Sequence, residues 1–260
     1  MKRFSLGIFL YWFNLNILMQ VNIDPVFLDL GFLHIRYYGL VYVLAFFLVY
    51  YLLHKKREEL KLNKNEIDSI IIWLFAGMII GSRIVALLSQ EYGLIFRDPL
   101  AFFKIWEGGM SFFGGLIGAL LAGIYAFKRY NINFYRVANL IVVPVSFILI
   151  LGRLANFVNQ ELVGKVTNVS WCFNFANYVG CRHPYQLYSA FLHLILFIIV
   201  FFIYKFNKKN TFWAFIFGYG ILRFITEFFR DETLVWGITL WQYLSLAMIG
   251  IAFYYLIKKK

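Results

Sequence analysis

Leu187–Phe206 reads LYSAFLHLILFIIVFFIYKF, an apolar run whose only His and Lys are His193 and Lys205. About 20 mostly apolar residues is the length of helix that crosses the hydrocarbon core of a bilayer. Six further segments approach it: Tyr37–His54, Ile67–Leu88, Phe112–Phe127, Phe134–Leu151, Phe212–Phe229 and Ile238–Ile257. The composition of the 260 residues agrees, at 62% hydrophobic, 22% aromatic and only 15% charged. An ordinary soluble domain carries roughly 25% charged residues. Disorder, a coiled coil and a disulfide-dense secreted scaffold are excluded. A net charge of +12 on one soluble face would point to nucleic acid. Here the cations sit in short clusters between apolar runs, as in an integral membrane protein, and no nucleic-acid partner is expected.

The clusters also orient the chain. Lys55, Lys56, Arg57, Lys61 and Lys64, then Lys128, Arg129 and Arg136, then Lys205, Lys208 and Lys209, then Lys258–Lys260 fall at alternate span ends. The opposite ends hold only Arg97, Lys104, Arg153, Lys165, Arg182 and Arg230. The positive-inside rule then makes the C-terminus cytoplasmic and, with seven spans, the N-terminus external. The expected fold is an all-α integral membrane protein of about seven transmembrane helices. Residues 1–36 form an N-terminal extracytoplasmic or interfacial segment and residues 37–260 the transmembrane domain. Within that domain, residues 152–186 supply a buried amphipathic helix and a small external head. Lys2 and Arg3 precede an apolar stretch broken by Asn14 and Asn16, which reads as a retained interfacial helix rather than a cleaved leader. Cys172 and Cys181 share the external loop, where oxidation is permitted, and are expected to pair.

Ionisable groups at hydrocarbon depth are costly and mark function. Arg83 follows Gly81-Ser82, Arg153 follows Gly152, and Tyr219, Arg223 and Glu227 are spaced by four along one helix face. Arg223 and Glu227 could simply neutralise each other, and Arg83 and Arg153 could snorkel to the surface. Their convergence on the outer half instead describes a positively lined cavity for an anion, a phospholipid headgroup at that depth, with Arg suited to bidentate phosphate contact. Gly114 and Gly115, at the outer entrance of the third span, are read as ligand-facing, and Gly118 and Gly123 as packing residues. The stretch Gly152-Arg153-Leu154-Ala155-Asn156-Phe157-Val158-Asn159-Gln160-Glu161-Leu162-Val163-Gly164 is the densest polar one. Such a mixture suits a cleft-lining helix better than a solvated loop. Aspartates are too dispersed for a metal-dependent phosphatidyltransferase, the histidines lack metal-ligand spacing, and no pseudo-symmetric halves suggest a transporter. No metal or cofactor is called for.

Gly152–Gly164 resembles, at every fixed position, the pattern Gly-Arg-x-(Gly/Ala)-Asn-Phe-x-Asn-x-Glu-x-x-Gly of the bacterial prolipoprotein diacylglyceryl transferases. Tyr38-Gly39-Leu40, Gly81-Ser82-Arg83, Glu107–Leu116, His183-Pro184-Tyr185-Gln186-Leu187-Tyr188, and Tyr219, Arg223, Glu227 with Arg230 are similar to further family motifs, in order. Four positions depart: Phe113 stands where the family has a histidine implicated in catalysis, Ser189 where it has Glu, Trp241 where Gly precedes Gln242, and Asn139 where an acidic residue is frequent.

The resemblance implies transfer of a diacylglyceryl group from phosphatidylglycerol, or a similar anionic phospholipid, to the lipobox cysteine of an exported prolipoprotein. A thioether forms and glycerol phosphate leaves, at the outer half of the cytoplasmic membrane. Arg153 and Arg223 would meet the phosphate and the developing charge. Glu227 and Glu161 would orient them or relay the proton, with Tyr219 a candidate relay. Tyr38 and Asn156 would hold the headgroup. Arg83, Gly114, Gly115, Asn159, Gly164, His183 and Arg230 complete the expected substrate site. Because of Phe113, the alternative is a relative that binds anionic lipid or lipoprotein precursors without turnover.

Overall fold

The computed structural model describes residues 19–21, 23–31, 34–89, 99–103 and 111–258. The expected N-terminal interfacial helix, apart from its last residues, lies outside these, as do Glu107–Met110 and the side chain of Phe113. Seven long helices stand among the described residues: α1 (Tyr37–Lys55), α2 (Lys64–Ser89), α3 (Phe112–Arg129), α4 (Phe134–Val158), α5 (Tyr185–Phe206), α6 (Thr211–Glu227) and α7 (Leu240–Lys258). Each overlaps one of the apolar segments. Five of them, α1, α2, α4, α5 and α7, are long and apolar enough to cross a membrane, and α3 and α6 are the shortest of the set. Large apolar side chains such as Phe47, Leu121 and Phe191 stand exposed on helix surfaces, as expected where lipid is the solvent. The chain is an all-α integral membrane protein.

Local chemistry starts the helices where the polar residues allow. Asn63 and Glu66 form a reciprocal box ahead of α2: the Asn63 N–H donates to Glu66 Oε2 (2.8 Å) and the Glu66 N–H to Asn63 Oδ1 (2.9 Å). Thr239 and Gln242 repeat the arrangement at α7, at 2.9 and 3.2 Å. Both satisfy N–H groups that have no partner within the helix. Asn139 does the same between elements. Its Oδ1 accepts the Phe212 N–H at 2.7 Å and its Nδ2 donates to the Lys209 carbonyl at 3.4 Å. An ionised carboxylate at this position would lose the second bond, having no donor.

The chain divides into two compact units, Phe47–Ala138 and the residues on either side of it. In the first, α2 and α3 meet along glycines. A Cβ on Gly81 would run into the Gly114 carbonyl oxygen, and one on Gly118 into that of Gly77. Backbone and the Cβ atoms of Ala122 and Val85 lie at this seam, the small-residue packing that lets membrane helices approach closely. The Gly114 N–H donates to Ser111 Oγ (3.3 Å) and the Gly115 N–H to the Ser111 carbonyl (3.0 Å). Arg83 on α2 is 2% exposed. His54 pairs with Asp68 at 3.0 Å, and Arg136 donates to the Leu60 carbonyl at 3.2 Å.

In the other unit α6 packs between α5 and α7, and Val142 of α4 joins Leu196, Val200 and Phe215 in a buried cluster. The polypeptide between α4 and α5 builds a small head. There β4 (Phe173–Asn174) pairs in parallel with β1 (Met19–Gln20), and Val21, Val163 and Phe175 are buried together beside Phe157 and Phe173. Cys172 and Cys181 are disulfide-bonded with Cα atoms 5.5 Å apart. A hairpin of β2 (Val26–Asp29) and β3 (His34–Arg36) leads directly into α1.

The glycine seam makes a stability prediction. Gly118→Leu is expected to cost about 1–3 kcal/mol through overpacking and to lower the melting temperature in detergent. Gly250→Ala, where an added methyl meets nothing within 4 Å, should not lower it.

Candidate active site

The helix containing Arg153 and Asn156 is not a separate element beyond the fourth span, as expected from sequence, but the end of α4, which runs unbroken to Val158. Gly152 alone does not stop it, and no atom of another element lies within 4 Å of where its Cβ would be. The chain then turns through two left-handed residues, Gln160 (φ 54°) and Leu162 (φ 55°), a conformation that costs an L-residue about 1–2 kcal/mol. Glu161 lies between them. Its Oε1 accepts from Asn156 Nδ2 (2.8 Å) and Asn159 Nδ2 (3.4 Å), and its carbonyl accepts from Gln186 Nε2 (2.7 Å). The strained turn is therefore held on both faces.

Gly164 ends this stretch where three strands of backbone cross. A Cβ here would collide with the His183 carbonyl and approach that of Phe229 to 2.9 Å. Gly164 bridges to Arg230, and its carbonyl accepts from Arg182, which also pairs with Asp231 at 2.6 Å. This crossing ties the head to the end of α6.

Three guanidinium groups surround Tyr185, the first residue of α5. Arg223 Nη1 donates to its hydroxyl at 2.5 Å, and Arg153 and Arg230 lie 5.8 and 6.0 Å from its ring centroid. Glu227, its side chain wholly buried, sits 3.3 Å from Arg223 Nη2 and 3.3 Å from Arg230 Nη1. Arg230 also reaches Glu232 at 2.9 Å, and Arg223 stacks over the Trp241 ring at 5.3 Å. Among the described residues Arg153 has no carboxylate partner. Arg223 and Arg230 are the arginines that Glu227 and Glu232 engage. Nearby, Asn159 Oδ1 and Gln186 Oε1 are buried acceptors with no donor among the described residues. Buried polar atoms are normally paired, so the site suits an anion that also carries hydroxyl donors.

The remaining expected residues lie around this centre or apart from it. His183 Nδ1 is 3.2 Å from the Tyr188 hydroxyl, which also accepts from Trp171 at 2.7 Å. Partial burial pushes the His183 imidazole below the usual histidine range. Tyr219 is one turn from Arg223 and packs edge-on against His193, ring centroids 5.6 Å apart. Tyr38 packs edge-on against Tyr42 at 5.1 Å on α1. Arg83, Gly114 and Gly115 belong to the Phe47–Ala138 unit. Tyr185, Gln186 and Trp241 were not among the expected site residues. Gln186, fixed within the His-Pro-x-Gln-Leu-Tyr pattern, was legible as a site residue, whereas Tyr185 occupies the variable position of that pattern and carried no signal.

Fold and site together define a multi-pass membrane protein with three arginines gathered around Tyr185. Residues 25–258 match the sequence profile of the prolipoprotein diacylglyceryl transferases, and the chain belongs to that family. It is 40% identical over 216 residues to the phosphatidylglycerol–prolipoprotein diacylglyceryl transferase of Geobacter sulfurreducens, covering 81% of this chain and 83% of that protein. To the enzyme of the same name from Glaesserella parasuis it is 39% identical over 240 residues, 88% of this chain and 90% of the relative. A third, from Wolbachia pipientis, is 37% identical over 242 residues, 88% of this chain and 92% of the relative.

The buried carboxylate gives a direct test of the cluster. Glu227→Ala leaves Arg223 and Arg230 without their shared partner and is expected to destabilise the protein by about 3–5 kcal/mol. Chemical unfolding in detergent measures it, and an unchanged midpoint would mean that both guanidinium groups find water.

Proposed function

We propose that the protein transfers the diacylglyceryl group of phosphatidylglycerol to the lipobox cysteine thiol of exported prolipoproteins, forming a thioether and releasing glycerol phosphate. The observation that carries this reading is Arg153: a guanidinium at the end of a membrane helix, over the Tyr185 ring, with no carboxylate partner among the described residues. A phosphodiester supplies that partner. Turnover, rather than retention of bound lipid, is the activity in the relatives' names.

The chemistry is substitution at an sp³ carbon, with sulfur attacking and the phosphate leaving. Free cysteine has a pKa near 8.5, and neighbouring cations lower it. Arg153 and Arg223 serve both ends of the reaction, favouring the thiolate and neutralising charge on the departing phosphate in a water-poor site. Glu227 fixes Arg223 and Arg230, and Tyr185 fixes Arg223 from the other side. Glu161 sets Asn156 and Asn159, whose amides, with the free acceptor of Gln186, suit the hydroxyls of a glycerol headgroup. Tyr38, Gly164 and His183 frame the site. Tyr219 is assigned the relay of a proton along α6 in this reading.

In this proposal seven helices span the cytoplasmic membrane, with the C-terminus inside and residues 1–36 outside. The head within residues 152–186 is external and the site opens to the outer leaflet. The distribution of Lys and Arg supports that orientation, and the oxidised Cys172–Cys181 pair is in keeping with an external head.

Arg153→Ala is expected to lower transfer from phosphatidylglycerol to a lipobox peptide by at least about 10²-fold, the scale of losing one preorganised charge-stabilising donor, while insertion and melting temperature are retained. Arg153→Lys should recover little, because an ammonium cannot make the bidentate contact. Normal turnover by folded Arg153→Ala protein would overturn the assignment.

A further inference from the structure

The proposed reaction has to move the thiol proton, and the carboxylates of the site are poorly disposed to take it. Glu161 Oε1 already accepts from Asn156 and Asn159, and Glu227 lies 3.3 Å from both Arg223 and Arg230, two cations that favour its ionised form. His183 Nδ1 is engaged with the Tyr188 hydroxyl, and a second imidazole stands further along the chain, on α5. His193 of α5 is 2% exposed, and its Nδ1 lies 2.6 Å from the Ser189 carbonyl oxygen. A carbonyl only accepts, so Nδ1 carries the proton and Nε2 holds the lone pair. Nε2 is buried and has no hydrogen-bond partner among the described residues. Ser189 Oγ lies 3.4 Å from Nδ1, Tyr219 on α6 packs edge-on against the imidazole, and the charges of Arg223 on α6 and Arg153 on α4 act on it. These include the two arginines that the proposed chemistry assigns to the phosphate. A neutral imidazole is tolerated beside two guanidinium groups because it adds no charge until it accepts a proton.

We propose that His193 Nε2 is the proton acceptor for the substrate thiol. The inference rests on the transferase reading above. The S–H bond breaks with its proton passing to Nε2, and the sulfur pair forms the new carbon–sulfur bond. The carbon–oxygen bond breaks with its electron pair on the departing glycerol phosphate. The imidazolium then returns the proton to that phosphate or to water, so charge and atoms balance. Ser189 has a specific part in this: its carbonyl holds the tautomer.

The test uses the full-length protein in lipid nanodiscs containing phosphatidylglycerol. Two lipobox peptides are compared, one with cysteine and one with selenocysteine, whose selenol is ionised at neutral pH and needs no base. His193→Gln is expected to lower kcat for the cysteine peptide by about 10²–10⁴-fold, the scale of general-base assistance, with KM for both substrates unchanged. Its rate should climb with pH as the thiol ionises by itself, where the wild-type rate levels off above the titration of the imidazole. The selenocysteine peptide should react at nearly the wild-type rate. Equal losses on both peptides would make His193 a packing residue and overturn the proposal, as would an undiminished rate on cysteine. No transfer by the wild type to either peptide would overturn the transferase reading, and this inference with it.

Discussion

Glu227 has no solvent-exposed side-chain surface, and two guanidinium groups stand 3.3 Å from it. Taking a carboxylate and two arginines out of water costs several kcal/mol per ion. A pair of unit charges at this distance returns about 5 kcal/mol where the effective permittivity is near 20. Terms of that size nearly cancel, so the triad is a weak source of net stability and a strong source of geometry. Neither arginine can leave without stranding the carboxylate. Arg223 is thereby held against the Tyr185 hydroxyl and Trp241, and Arg230 against Gly164 and Glu232. The end of α6, the start of α5 and the head are joined through one buried charge.

The small residues serve the same rigidity by a different route. At Gly164 the backbones of His183 and Phe229 pass too closely for any side chain. The glycine thus acts by what it leaves out, allowing the head to close over the end of α6. The α2–α3 seam applies the same rule between two apolar helices, and where lipid is the solvent burying apolar surface gains little because lipid is equally apolar. Close backbone contact is then the available source of cohesion. A loosely held guanidinium among apolar helices would turn toward water.

Much of this was legible in the chain. The seven apolar segments each became a helix, since length and hydrophobicity alone decide whether a segment is stable in a bilayer. The i, i+4 spacing of Tyr219, Arg223 and Glu227 placed them on one face of α6, and Arg223 and Glu227 do meet. The extent of α4 was not legible. A lone glycine followed by polar residues reads as a boundary, but helical hydrogen bonding continues past Gly152 because nothing there competes for the backbone. Tyr185 was invisible for another reason. Its role comes from three arginines that approach from positions 153, 223 and 230, and no local pattern records that meeting.

The sequence by itself determined which segments are apolar, where the cations lie along them, and which motif residues recur in the family's order. Those properties belong to single residues or to spacings within one helix. Among the described residues, the tertiary structure alone decided which arginine has no carboxylate partner, which amide oxygens lack a donor, and which histidine nitrogen is unpartnered. Pairing is a property of contacts between helices. Arg153, Arg223 and Arg230 are alike in one dimension and differ once Glu227 and Glu232 have chosen two of them.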